Sequence, residues 1–93
     1  MERALFLTKI YTYCLFDNHN AFHGVYSSLK AVHRDALKIC NQGTAPVVME
    51  YEGKPQAPTL TALRNVLKGE IDVQIQYRSG PRVAKIIKTK LKE

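Results

Sequence analysis

Residues 71–92, IDVQIQYRSGPRVAKIIKTKLK, decide the fold of this chain. Ile71, Val73, Ile75 and Tyr77 alternate with Asp72, Gln74, Gln76 and Arg78, a period of two that gives a strand one dry and one wet face. Arg78-Ser79-Gly80-Pro81 reads as a turn, and Arg82–Lys92 returns as a second strand, so the segment predicts an antiparallel hairpin. In extended geometry Arg82, Ala84, Ile86, Lys88, Lys90 and Lys92 project to one side, and Val83, Lys85, Ile87, Thr89 and Leu91 to the other. Lysines on both sides predict an edge strand, where charge discourages unwanted pairing. The row Val83, Ile87, Leu91 is open to two readings, the closing of a homodimer or packing on the chain's own core.

Upstream, LTALRNVLKG (60–69) is a short helix with Thr59 as its cap, Leu60, Leu63, Val66 and Leu67 inward, Arg64 and Lys68 outside, and Gly69 as the stop. The stretch GKPQAP (53–58) holds two prolines and is expected to be a loop. Before it, Val47–Glu52 alternates loosely, with Val47, Met49 and Tyr51 on one face and Val48, Glu50 and Glu52 on the other, a further strand. Ser27 or Ser28 caps a longer helix in SLKAVHRDALKICNQG. Its apolar stripe is Leu29, Val32, Ala36, Leu37 and Cys40, His33 sits at the stripe's margin, and Gly43 is placed to end the helix in a left-handed cap. LFLTKIYTYCLF (5–16) is apolar on both alternating faces and predicts a central strand, and DNHNAFHG (17–24) after it is made of turn residues. The order is β-α-β-α-β-β. The expected fold class is α+β, a four-stranded mixed or antiparallel sheet with two helices and a C-terminal hairpin, in a single domain spanning 1–93.

Charge is the most informative bulk property. Fourteen Lys and Arg face 8 Asp and Glu, a net +6, and residues 78–93 hold 6 of the bases and 1 of the acids. Such a segment suits a polyanionic partner. Candidate nucleic-acid contacts are Arg78, Arg82, Lys85, Lys88, Lys90 and Lys92 of the hairpin. Lys30, Arg34 and Lys38, spaced i, i+4, i+8 along one face of the first helix, join them. Only Asp35 lies nearby to neutralise that stripe. Phe22 and Tyr26, flanking His23, are the aromatic residues placed to stack on unpaired bases, if their rings are exposed.

Other chemistries find little support. Cys14 and Cys40 sit in apolar settings typical of buried thiols in a reducing compartment. His19 and His23 are four apart, but no cysteine or acid pattern completes a set of ligands, so no metal and no cofactor is expected. No phosphate loop or nucleophile elbow occurs, and Glu50 and Glu52 read as a solvated strand face. The apolar stretch 4–16 is interrupted by Lys9 and is too short to span a bilayer, so the expected location is the cytoplasm, without a membrane partner. One enzyme class fits the size, a cofactor-free ribonuclease using His19, His23 or His33 for proton transfer with Arg82 or Lys85 on the phosphate.

From FDNHNAFHGVYSSLKAVHRDALK to LTALRNVLKGEIDVQIQYRSGPRVAKIIKTKLKE the chain resembles the small accessory proteins of T-even-like bacteriophages. The resemblance implies a non-enzymatic protein of the host cytoplasm that binds and blunts host enzymes or defence systems, toxin ribonucleases and nucleases included, some of them through basic RNA-binding surfaces. It carries no functional residues across. The expected function is therefore a basic, non-enzymatic protein binding RNA or DNA, in the setting of phage inhibition of a host toxin or nuclease. Two alternatives stand beside it, an inhibitor acting by protein–protein contact alone and the small ribonuclease.

Overall fold

The computed structural model describes residues 11–41, 43, 45–68 and 73–90. Three antiparallel hairpins are separated by two helices. They are β1 (Tyr11–Asp17) with β2 (Phe22–Tyr26), β3 (Val48–Tyr51) with β4 (Lys54–Gln56), and β5 (Gln74–Ser79) with β6 (Arg82–Lys90). Helix α1 (Leu29–Cys40) joins the first hairpin to the second, and α2 (Leu60–Leu67) joins the second to the third. The strands form one six-stranded sheet, β2-β1-β6-β5-β3-β4, with every neighbouring pair antiparallel. The α+β class and the C-terminal hairpin match the sequence reading, but the sheet has six strands where four were expected.

Both extra strands come out of segments read as loops. In 17–24 the Asp17 carboxylate accepts the amides of His19 (2.8 Å) and Ala21 (3.0 Å), and Asn20 takes a left-handed φ of 61°. These bonds confine the turn to residues 18–21, so Phe22 pairs with Phe16 and the chain re-enters the sheet. In 52–58, Glu52 and Gly53 both have positive φ (52° and 79°), the two-residue loop that matches strand twist. Lys54–Gln56 then pairs as an edge strand, where Pro55 is tolerated because one side of β4 needs no donor.

The last hairpin lies in the middle of the sheet and not at its edge, since β6 pairs with β1 on one side and β5 on the other. Its turn has Gly80 at φ 60°, the first central position of a two-residue loop. Burial follows the alternation of β6: Ala84, Ile86 and Lys88 are buried, while Val83, Lys85, Ile87 and Thr89 are half-exposed. Even-numbered β6 residues, with Leu15, Met49, Ile75 and Tyr77 of neighbouring strands, meet Val32, Ala36 and Cys40 of α1 and Leu63 and Leu67 of α2 in a single core. Both helices therefore lie on one face of the sheet, and no described helix covers the other.

The helix N-caps are as expected. Ser28 Oγ accepts the amide of Ala31 (3.2 Å) and Thr59 Oγ1 that of Ala62 (3.0 Å). The end of α1 differs, because Asn41 is the C-cap, its amide reaching the Leu37 carbonyl at 2.7 Å, and Gly43 is not left-handed. At the end of α2 the carbonyl of Leu67 accepts a bond from the ammonium of Lys88 (2.5 Å), a cation at the negative end of the helix. Gly69, the expected stop, lies outside the described residues, as do 5–10 of the first predicted strand and Ile71 and Asp72 of the third.

Candidate nucleic-acid interface

Helix α1 turns its apolar stripe to the sheet, which leaves Lys30, Arg34 and Lys38 exposed along the opposite face, one turn apart. Helix α2 packs against α1 and exposes Arg64 and Lys68. Five exposed cations thus belong to the helix layer. Among the described residues the carboxylate of this layer is Asp35, and it is already engaged: it accepts the Tyr26 hydroxyl (2.6 Å) and the Arg34 Nε–H (3.0 Å), and these bonds hold it below the usual carboxylate range. The same bond pushes the Tyr26 phenol up. Lys30, Arg64 and Lys68 make no hydrogen bond or ion pair among the described residues.

The hairpin cations divide. Lys88 leaves the candidate set: it is 5% exposed, its Nζ lies 4.3 Å from the centroid of the Tyr11 ring, and its proton goes to Leu67. No phosphate reaches it. Arg82 and Lys90 are exposed at the two ends of β6, on the helix side by alternation. Arg78 and Lys85 point from the opposite, open face. Lys92 lies outside the described residues.

Strand register lays out that open face in rows. One row runs Phe22, Phe16, Lys85, Gln76, Glu50, Pro55 across the whole sheet, and a second runs Val25, Cys14, Ile87, Gln74. Phe16 and Phe22 meet at 5.5 Å between ring centroids, and Phe22 and Val25 are 58% and 59% exposed, which makes this corner the apolar part of the face. Its cations are tied to neighbours, Lys85 to the Asn20 side chain (2.9 Å) and Arg78 to Glu50 (3.2 Å) and Gln76 (3.0 Å). Of the two aromatic residues read as stacking candidates, Phe22 is exposed. Tyr26 is turned to the helix side against Asp35. Cys14, read as buried, is half-exposed on this face, while Cys40 is buried on the other side of the sheet, its thiol bonded to the Tyr77 carbonyl (3.3 Å) and pushed up by burial.

The histidines separate as well. His23 Nε2 meets Asp17 Oδ2 at 3.0 Å, and with the two loop amides this holds the Asp17 carboxyl down at about 2. His33 is hydrogen-bonded and partly buried, as its place at the stripe margin suggested, with Nδ1 2.6 Å from the Tyr77 hydroxyl. Burial pushes the His33 imidazole down and the Tyr77 phenol up. Arg64 and Lys68 were legible in the sequence as a pair, but nothing in it shows that they and Lys30, Arg34 and Lys38 share one surface.

Compared with family models, curated proteins and solved structures, the chain matches none.

Proposed function

We propose that this protein binds the phosphate backbone of nucleic acid through the outer surface of its two helices. The observation that carries the reading is the helix layer's balance, among the described residues, of five exposed cations against one carboxylate whose charge is already shared. Neutralising phosphates releases condensed counterions, an affinity that needs no base-reading code, and separately placed Lys and Arg supply it. Arg82 and Lys90 extend the surface at its margins. The resemblance to phage accessory proteins supports binding over turnover, with inhibition of a host toxin or nuclease as the setting.

Fluorescence anisotropy of labelled single-stranded RNA across a salt series tests this. Four or five phosphate contacts give a log–log slope of about −3, each contributing about −0.7 on single strands. Reversing Lys30, Arg34 and Lys38 to Glu is expected to flatten the slope by about 2 units, while reversing Arg78 and Lys85 leaves it nearly unchanged. Absence of binding at low salt overturns the reading and leaves an acidic protein surface as the partner to seek. The Asp17–His23 pair favours a second reading, RNA cleavage. Loss of the RNA on gels of the same samples, abolished by His23→Ala, would replace binding with that activity.

A further inference from the structure

Between α1 and the start of α2 the helix layer opens into a cleft of about 670 Å³, within the range of roughly 300–1,000 Å³ typical of small-molecule sites. Its floor is apolar, formed by Ala31, Leu37 and Leu60, and Lys30 and Arg34 stand one helical turn apart on its wall. His33 also lines it. The orientation of that ring is set from behind. The Tyr77 side chain is fully buried, its hydroxyl meets His33 Nδ1 at 2.6 Å, and no buried side-chain oxygen or nitrogen among the described residues lacks a partner. A buried phenol must spend its proton, so it donates to Nδ1, and the neutral ring carries its own proton on Nε2. The cleft therefore combines an apolar floor, the helix-capping Ser28, one N–H donor of fixed tautomer and two cations.

We propose that this cleft receives one unpaired base of a single-stranded nucleic acid, with the flanking phosphates on Lys30 and Arg34. This rests on the phosphate-binding reading of the helix layer and names its substrate class. A flat heterocycle has a weakly hydrated face that an apolar floor suits, and its edge offers the carbonyl or ring-nitrogen acceptor that the His33 Nε2–H needs. A duplex keeps its bases stacked and paired and presents none to a concave site, so the protein prefers single strands.

The test compares three labelled probes at equal salt: a ten-residue oligouridylate, an abasic strand of the same length and charge, and an RNA duplex. The oligouridylate is expected to bind about tenfold more tightly than the abasic strand, the scale of one hydrogen bond made on burial. Ala31→Phe, which fills the cleft, is expected to erase that difference and leave the salt slope unchanged. His33→Asn keeps an acceptor for the Tyr77 hydroxyl and removes the Nε2–H. It is expected to narrow the difference several-fold, and it decides the matter if Ala31→Phe does not fold. Equal affinity for oligouridylate and abasic strand overturns the base site while the abasic binding upholds the phosphate reading. A gap that survives both variants also overturns the base site. Loss of binding to all three probes overturns both.

Discussion

The two faces of the sheet receive alternate residues of the same strands, yet they differ in everything that decides a side chain's behaviour. Below the helices, β6 contributes Ala84, Ile86 and Lys88, all buried; on the open face it contributes Val83, Lys85, Ile87 and Thr89, all half-exposed. Two lysines three residues apart thus have different occupations. Lys88 is desolvated and spends its charge on a helix terminus and a tyrosine ring, whereas Lys85 stays in solvent and bonds Asn20. The helix layer that buries Lys88 also displays five cations outward, while the open face keeps its own cations tied to Asn20, Glu50 and Gln76. Among the described residues Lys30, Arg64 and Lys68 on the first surface are unpaired, whereas Arg78 and Lys85 on the second are bonded to neighbours.

The largest expected effect separates neighbouring isoleucines. Ile86→Ala leaves a cavity in the core beneath the helices and should cost about 2–5 kcal/mol in urea unfolding, while Ile87→Ala, on the open face, should cost about 1 kcal/mol or less. Equal costs would mean that the open face is as well covered as the other. The lysines give the next contrast. Lys88→Met keeps most of the apolar stem but leaves the Leu67 carbonyl without its charged donor, for a loss of about 1.5–3 kcal/mol, whereas Lys85→Met should stay within about 0.5 kcal/mol. A neutral Lys88→Met would show that the ammonium's desolvation cancels its bond.

The smallest effects are in pH. Burial holds folded His33 below its unfolded value of about 6.5, so the unfolded chain binds the extra proton first. Its contribution is intact above that pH and is lost as pH falls below it. Asp17 is depressed from 3.8 to about 2, so its contribution is intact above 3.8 and is lost as pH falls toward 2. Melting temperatures between pH 8 and 2 should therefore decline in two separate windows, the upper removed by His33→Asn and the lower, to which Asp35 also contributes, reduced by Asp17→Asn. A flat curve from pH 7 to 5 would show that burial does not hold the His33 imidazole down.

Local patterns were readable wherever a residue's neighbours in sequence set its role. The stripe Leu29, Val32, Ala36, Leu37, Cys40, the caps Ser28 and Thr59, the alternation of Ile75 and Tyr77 with Gln74 and Gln76, and the hairpin at Gly80 all carry a period or a hydrogen bond that spans a few residues. His33 belongs with them, since its margin position implied a partner even though the partner, Tyr77, is 44 residues away. Phe22–Tyr26 and Lys54–Gln56 were missed because each is short, polar or proline-bearing, and each owes its strand geometry to a partner already in the sheet.

The position of β6 was the most consequential thing hidden. Lysines on both sides of a strand describe an edge when nothing else is known, because a buried ammonium is costly without a partner. Here the partners are the last carbonyl of α2 and the Tyr11 ring, groups brought to Lys88 only when the third hairpin inserts between the first two. By itself the sequence determined the α+β class, both helices with their N-caps, the closing hairpin and the basic character of the chain, since periodicity, capping and charge are local or additive properties. Only the tertiary structure decided the strand order, the burial of Lys88, the packing of the two cation-bearing helices side by side and the cleft that His33 lines. These depend on which distant segments pair, and pairing is settled by the packing of the whole core.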